Sequence, residues 1–239
     1  MSNINTDRLA ILIDADNAQP SIASELLTEI GRYGTATVRR AYGDWTTSNL
    51  NGWKEHLHTL AIQPIQQFRL TIGKNSTDTA LIIDAMDLLH GNRIDGFCLV
   101  SSDSDFTRLA TRIREAGLCV YGFGEKKTPK PFVAACNKFV FTEILRGSTD
   151  IQLSSSAEQV PLKPILMRAV NAAAGDDGWA SLGAVGNLVS KANPEFDARN
   201  YGKKKLGELV KAQDYLEVRP QQPADGSPIT QIFVRIKEP

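Results

Sequence analysis

The chain has 239 residues, 42% of them hydrophobic, and its 27 basic residues balance 27 acidic ones. That length holds one large domain, or a medium domain with a small one, and the apolar fraction suffices for a packed core. No apolar run reaches membrane-spanning length and no signal-like segment opens the sequence, so a cytoplasmic protein that does not enter a membrane is expected. The balance hides a modest asymmetry: 16 basic and 18 acidic residues up to residue 159, then 11 and 9. That tilt is too small to argue nucleic-acid binding by itself; where the charges fall says more. Cys98, Cys119 and Cys136 are odd in number and read as buried thiols rather than a disulfide frame or metal site. His56, His58 and His90 lack zinc spacing.

In chain order, Leu9-Ala10-Ile11-Leu12-Ile13 reads as a parallel strand buried on both faces, ending in Asp14-Ala15-Asp16-Asn17. Pro20 opens a helix with Ile22, Leu26 and Ile30 on one stripe, stopped by Gly34. Thr37 to Tyr42 reads as a second strand, and Leu50, Trp53, Leu57 and Leu60 mark the next helix. Ile62 to Phe68 is a third strand, moved toward an edge by Pro64. The polar loop from Gly73 to Asp78 feeds a helix reaching about Leu89, with Ser76 or Thr77 as its cap. Because that helix is apolar nearly all round, it is expected to be largely buried, and Asp84 within it needs a partner. Asp84 lies about 120° round the helix from Asp78, so the two do not share a face.

Phe97-Cys98-Leu99-Val100 is the next buried strand, breaking abruptly into Ser101-Ser102-Asp103-Ser104-Asp105. A helical stripe of Phe106, Leu109, Ala110 and Ile113 follows, then a strand from Leu118 to Phe123 and the basic loop Lys126 to Lys130. A short helix and the strand Phe139-Val140-Phe141 complete an alternation of strands and helices. That alternation predicts an α/β unit, a parallel sheet with helices on both faces. Residues 147–159, rich in Ser, Gln and acids, read as a linker between a first domain (1–146) and a second (160–239). In the second, helices are marked by Ile165 to Val170, by Leu182 to Val189, and from about Tyr201 to Ala212. Strands Tyr215 to Arg219 and Ile229 to Ile236 flank a Pro223-to-Gly226 turn, giving the plan of a small winged helix-turn-helix.

Asp14, Asp16, Asn17, Asp78, Asp103 and Asp105 come from two strand tips and one helix start, which parallel crossovers bring to one sheet edge. Neighbouring acids repel each other, and oxygen-only ligation selects Mg²⁺ or Mn²⁺, suited to phosphoryl chemistry. The alternative at Asp103 is a helix cap, with Asp105 complementing the helix dipole. No Walker lysine motif, dinucleotide fingerprint or Ser-His-Asp arrangement competes.

Ile13-Asp14-Ala15-Asp16-Asn17, the Lys74-to-Asp78 segment with Ala80 to Ala85, and Ser101 to Phe106 resemble, in order, the three signatures of the NYN domain, a PIN-like nuclease family. The resemblance covers roughly residues 8–145 and implies a Mg²⁺-dependent nuclease acting mainly on RNA. It implies Asp14, Asp78 and Asp103 as catalytic, metal-binding acids, with Asp105 beside them. Asn17, Ser101, Ser102 and Asp84 stand in support; Asp84 serves a core role as readily as a metal contact. A strand ending Asp-x-Asp also resembles haloacid-dehalogenase-type phosphatases, but Ala18 stands where that pattern has Thr or Val. Gly178-Trp179-Ala180-Ser181-Leu182, Asn193 to Asp197 and Tyr201 to Leu206 resemble the LOTUS (OST-HTH) domain, an RNA-binding winged helix. Arg199, Tyr201, Lys203, Lys204 and Lys205 crowd the expected start of its third helix and are the candidate contacts for single-stranded or structured RNA. Trp179 is read as core rather than a stacking platform. The rival to a ribonuclease is a non-catalytic RNA-binding adaptor with a degenerate acidic pocket, and a homo-oligomeric or protein partner of the C-terminal module stays open.

Overall fold

A computed structural model describes residues 7–68, 76–91, 93–146, 161–222 and 230–237. The predicted linker 147–159, the Pro223-to-Gly226 turn, Ile229 and the start of the Gly73-to-Asp78 loop, with Lys74, lie outside the described residues. The chain divides into two compact units, 1–151 and 152–239.

In the first unit, six strands alternate with helices. They are β1 (Arg8–Asp14), α1 (Ala23–Ile30), β2 (Thr35–Gly43), α2 (Asn51–Thr59), β3 (Gln63–Gln66) and α3 (Ser76–His90). The order continues with β4 (Gly96–Val100), α4 (Thr107–Glu115), β5 (Cys119–Gly124), α5 (Lys130–Ala135) and β6 (Lys138–Phe141). The sheet runs β3-β2-β1-β4-β5-β6 with every pairing parallel. Side-chain alternation explains the two cores. Leu9, Ile11 and Ile13 pack with α1 and α2, while Ala10 and Leu12 pack with α3, α4 and α5. Strand order reverses between β1 and β4, and in open parallel sheets the crevice at such a switch point, beyond the strands' carboxyl ends, receives ligands. Ile13 pairs with Val100, so Asp14 and Ser101 leave the sheet side by side.

Four local expectations change. Ile62 to Phe68 shortens to the four-residue edge strand β3. α3 is buried only along Thr77, Asp78, Leu81, Ala85 and Leu89, and Ile83 is 58% exposed. One i, i+4 stripe meets the sheet; the other apolar side chains lie beside it or in solvent. Ser76 and Thr77 are inside the helix rather than capping it. Cys119, at the open end of β5, is exposed, while Cys98 and Cys136 are buried.

The second unit packs α6 (Leu162–Ala173), α7 (Leu182–Ala192) and α8 (Leu206–Lys211) against an antiparallel sheet. Its strands are β7 (Ala180–Ser181), β8 (Leu216–Gln221) and β9 (Gln231–Ile236), ordered β7-β9-β8. The helix expected from Tyr201 to Ala212 is broken: a single 3-10 turn, Ala198–Tyr201, ends at Gly202, whose φ of 74° is left-handed, and α8 starts only at Leu206. Glycine adopts that conformation without the Cβ penalty, so the chain turns there instead of continuing as helix. Among the described residues no helix is long and apolar enough to cross a membrane.

Candidate metal centre at the sheet switch point

Asp14 closes β1 with no exposed surface, so its carboxylate must be hydrogen-bonded internally. Asn17 Nδ2 and Ser101 Oγ each donate to its Oδ2 at 2.8 Å, and the Asn17 amide N–H reaches Oδ1 at 3.3 Å. Burial pushes the Asp14 carboxyl above the usual carboxylate range. The Asn17 and Ser101 donors oppose that push, and the nearby charge of Asp16 adds to it. Ser101 therefore links the two central strand tips. Its Oγ also accepts the Asp103 N–H at 3.1 Å, and Ser102 Oγ accepts the Glu125 N–H at 2.9 Å, tying in the tip of β5.

In front of this buried pair, Asp78 from the first turn of α3 meets Asp103 and Asp105 from the loop after β4. One ligand atom from each of the three lies within 4.8 Å of the others. Asp103 also caps the following 3-10 turn, its Oδ1 accepting the Asp105 N–H at 2.9 Å. The capping and clustering readings thus hold together. Burial, then the charges of Asp14, Asp103, Asp105 and Asp16, pushes the Asp78 carboxyl up to about 6. Three converging carboxylates, one of them raised by burial and then by its neighbours' charges, fit a hard divalent cation with oxygen ligands. Asp14 has its carboxylate engaged by Asn17 and Ser101 and stands outside the three-acid group. Asp16, counted from the sequence in the acidic constellation, accepts the Thr77 hydroxyl at 3.1 Å and so anchors the first turn of α3, which carries Asp78.

Asp84 points elsewhere. It accepts hydrogen bonds from Arg40 Nη1 and from the Tyr42 phenol, both on β2. The three line an open groove of about 1080 Å³ between α3 and the edge of the sheet, whose other lining residues include Ser76 and Thr79, on either side of Asp78 in the chain. Beside Asp84 the fully buried Tyr42 stays protonated, its phenol raised by burial and by that carboxylate. Asp84→Ala is expected to leave the phenol and guanidinium without their acceptor and to destabilise the first unit by about 1–3 kcal/mol. Chemical denaturation of Asp84→Ala beside Asp84→Asn, which keeps an acceptor, measures it.

In the second unit, Arg199 is clamped to Asp197, with Nη2 to Oδ2 at 2.8 Å and Nε to Oδ1 at 3.0 Å. Tyr201 packs against the core with its ring 5.8 Å from that of Phe196. Lys204 and Lys205 are exposed and Lys203 half-buried, in the bend before α8. On the first unit, Lys126 and Lys130 are exposed after β5, at the same sheet edge as the acids, while Lys127 pairs with Glu125 at 2.7 Å.

Comparison with known proteins matches residues 8–145 to the NYN domain and residues 154–228 to the OST-HTH/LOTUS domain. No curated protein matches. Among solved structures, a protein of unknown function from Vibrio parahaemolyticus is 17% identical, covering 58% of this chain and 94% of its own, with a TM-score of 0.49. An uncharacterised protein from Nitrosomonas europaea is 33% identical over 39% of this chain and 91% of its own, TM-score 0.31. A protein from Chromobacterium violaceum is 35% identical over 33% of this chain and 83% of that structure, TM-score 0.27.

Proposed function

Because the chain belongs to the NYN domain family, within the PIN-like nuclease superfamily, we propose that it is a metal-dependent ribonuclease to which its OST-HTH/LOTUS unit recruits RNA. The observation that carries this reading is the convergence of Asp78, Asp103 and Asp105 at the β1/β4 switch point. These three would hold Mg²⁺ or Mn²⁺. A cation held there would supply Lewis-acid charge for phosphodiester hydrolysis and would lower the pKa of a bound water. Asp14, buried beside them, pushes the Asp78 carboxyl further up, and the Asn17 and Ser101 donors hold the Asp14 carboxylate in place and oppose the upward push of its burial. Lys126 and Lys130 draw the RNA backbone to that edge.

The test is incubation of the purified chain with labelled single-stranded RNA and Mg²⁺ or Mn²⁺, with chelator as control. Metal-dependent shortening of the RNA supports the reading. RNA binding without cleavage makes the chain a non-catalytic adaptor. Recruitment has its own expected outcome. Replacing Lys203, Lys204 and Lys205 together by Glu should weaken RNA binding and lower the slope of log affinity against log salt by about 0.7 for each phosphate no longer neutralised. Cleavage at saturating RNA should be nearly unchanged. Fluorescence anisotropy across a salt series reads the slope.

A further inference from the structure

α3 carries two stripes. Thr77, Asp78, Leu81, Ala85 and Leu89 are buried. Ser76, Thr79, Ala80, Ile83 and Asp87, at i, i+3, i+4, i+7 and i+11, line the open groove instead. The opposite wall is β3 with the residue after it, where period-two alternation presents Gln63, Ile65 and Gln67. Asp14, Tyr42 and Ile65 form one row across β1, β2 and β3, and Arg40 pairs with Gln63. The mouth of the groove, between Gln67 and Ser76, therefore lies at the level of the acids, and the groove runs from there along α3.

The lining does not suit phosphate. Its charged groups are Arg40, Asp84 and Asp87, and Arg40 is already paired with Asp84, so one cation stands against two acids. Flat neutral rings suit it better. Exposed Ile83 and half-buried Ile65 supply apolar surface from the two walls. Among the described residues, the side-chain amides of Gln63 and Gln67 have no hydrogen-bond partner. Each amide both donates and accepts, which matches the pairing edge of a base that no second strand occupies.

We propose that this groove takes the unpaired bases of single-stranded RNA on one side of the scissile phosphate, with Gln63 and Gln67 hydrogen-bonded to base edges; this rests on the ribonuclease reading of the acids. The two amides are about 13 Å apart along the strand, so they serve different bases. The phosphates stay outside the groove. Lys126 and Lys130 hold the backbone on the other flank, since β3 and β5 lie on opposite sides of the β1/β4 switch point. Continuity with the acids, through Ser76 and Thr79 on either side of Asp78, favours the substrate strand over a peptide as the occupant.

The test is steady-state cleavage of a labelled single-stranded RNA by the full chain with Mn²⁺, with thermal melts of every variant. In two further substrates, abasic riboses replace the nucleotides upstream or downstream of the cut. For the parent, one of these two replacements should raise KM by about tenfold and leave kcat within about twofold, as expected when uniform binding is lost. Gln63→Ala with Gln67→Ala should melt like the parent and raise KM on intact RNA by about tenfold. That variant should cut the intact strand and the discriminating abasic strand with the same KM. Ile83→Asp, at an exposed position, should raise KM to a similar extent. The salt dependence of KM should be unchanged in the glutamine variant and reduced in Lys126→Glu. If the parent shows equal KM for all the RNAs and the folded groove variants match it, no base enters the groove and the ribonuclease reading stands. A folded parent that cuts no RNA with Mg²⁺ or Mn²⁺ overturns both.

Discussion

Asp103→Asn should abolish metal-dependent RNA cleavage, by at least about a hundredfold, while the protein folds as before. The asparagine oxygen replaces Oδ1 as acceptor of the Asp105 N–H, so the 3-10 turn that presents Asp105 persists. What disappears is one of three negative charges within 4.8 Å, and with it the affinity for a divalent cation. Cleavage assays, with calorimetric titration of Mn²⁺ into parent and variant, test both halves. Unchanged cleavage would remove Asp103 from the site. A large fall in melting temperature would mean that its capping role dominates.

Asp78→Asn separates charge from structure in the metal-free protein. With the folded carboxyl up at about 6, above its unfolded value, the folded chain binds more protons than the unfolded one between about pH 4 and 6. Stability contributed by this group is therefore present at low pH and lost as pH rises through that window. Asp78→Asn should flatten that loss and raise stability at pH 7 by about 1–2 kcal/mol. The full linkage value is reduced because neighbouring carboxylates are partly in water. Added Mn²⁺ should stabilise the parent and not the variant, since only the parent keeps all three acids.

The parts legible in the sequence were those with a strong local signal. Leu9 to Ile13 and Phe97 to Val100 are continuous apolar runs, and both are central strands with carboxylates at or just past their tips. What escaped depended on partners far away in the chain. Asp84 needed a partner on composition alone, but Arg40 and Tyr42 come from a strand more than forty residues earlier. An α3 that is apolar nearly all round reads as buried, yet only one stripe reaches the sheet and Ile83 is left out. Trp179 reads as core, yet its ring meets Arg219 and Arg235; β7 has only two residues, too few for alternation to declare which face it joins. Gly202 carried a local signal for the break between Tyr201 and Leu206, since a left-handed glycine commonly ends a helix.

Gly124→Ala should damage fold and site together. A Cβ there would lie 2.6 Å from the Ser101 carbonyl oxygen and 2.7 Å from Thr128 Oγ1. The Ser101 carbonyl is backbone held at its neighbours: the Ser101 N–H donates to Phe123 O at 3.0 Å, so relief requires β4 and β5 to part. Overpacking of this kind costs about 1–3 kcal/mol. The melting temperature should then fall by about 2–4 °C for each kcal/mol of that cost. Ser101 is also the residue whose hydroxyl donates to buried Asp14 at 2.8 Å and accepts from Asp103 at 3.1 Å. Its displacement leaves an unexposed carboxylate short of a donor and moves the turn that carries two of the three acids. Gly122→Ala is the matched control. Its Cβ would meet Phe139 Cδ2 at 2.4 Å and Cys136 Sγ at 2.7 Å, clashes within the core rather than at the acids. Both variants should lose stability, but at a temperature where each is folded, only Gly124→Ala should lose cleavage. Equal activity per folded molecule would show that the site tolerates a shifted Ser101. The Ser101–Asp14 link would then serve to give a buried carboxylate its donor and not to position the acids around a cation.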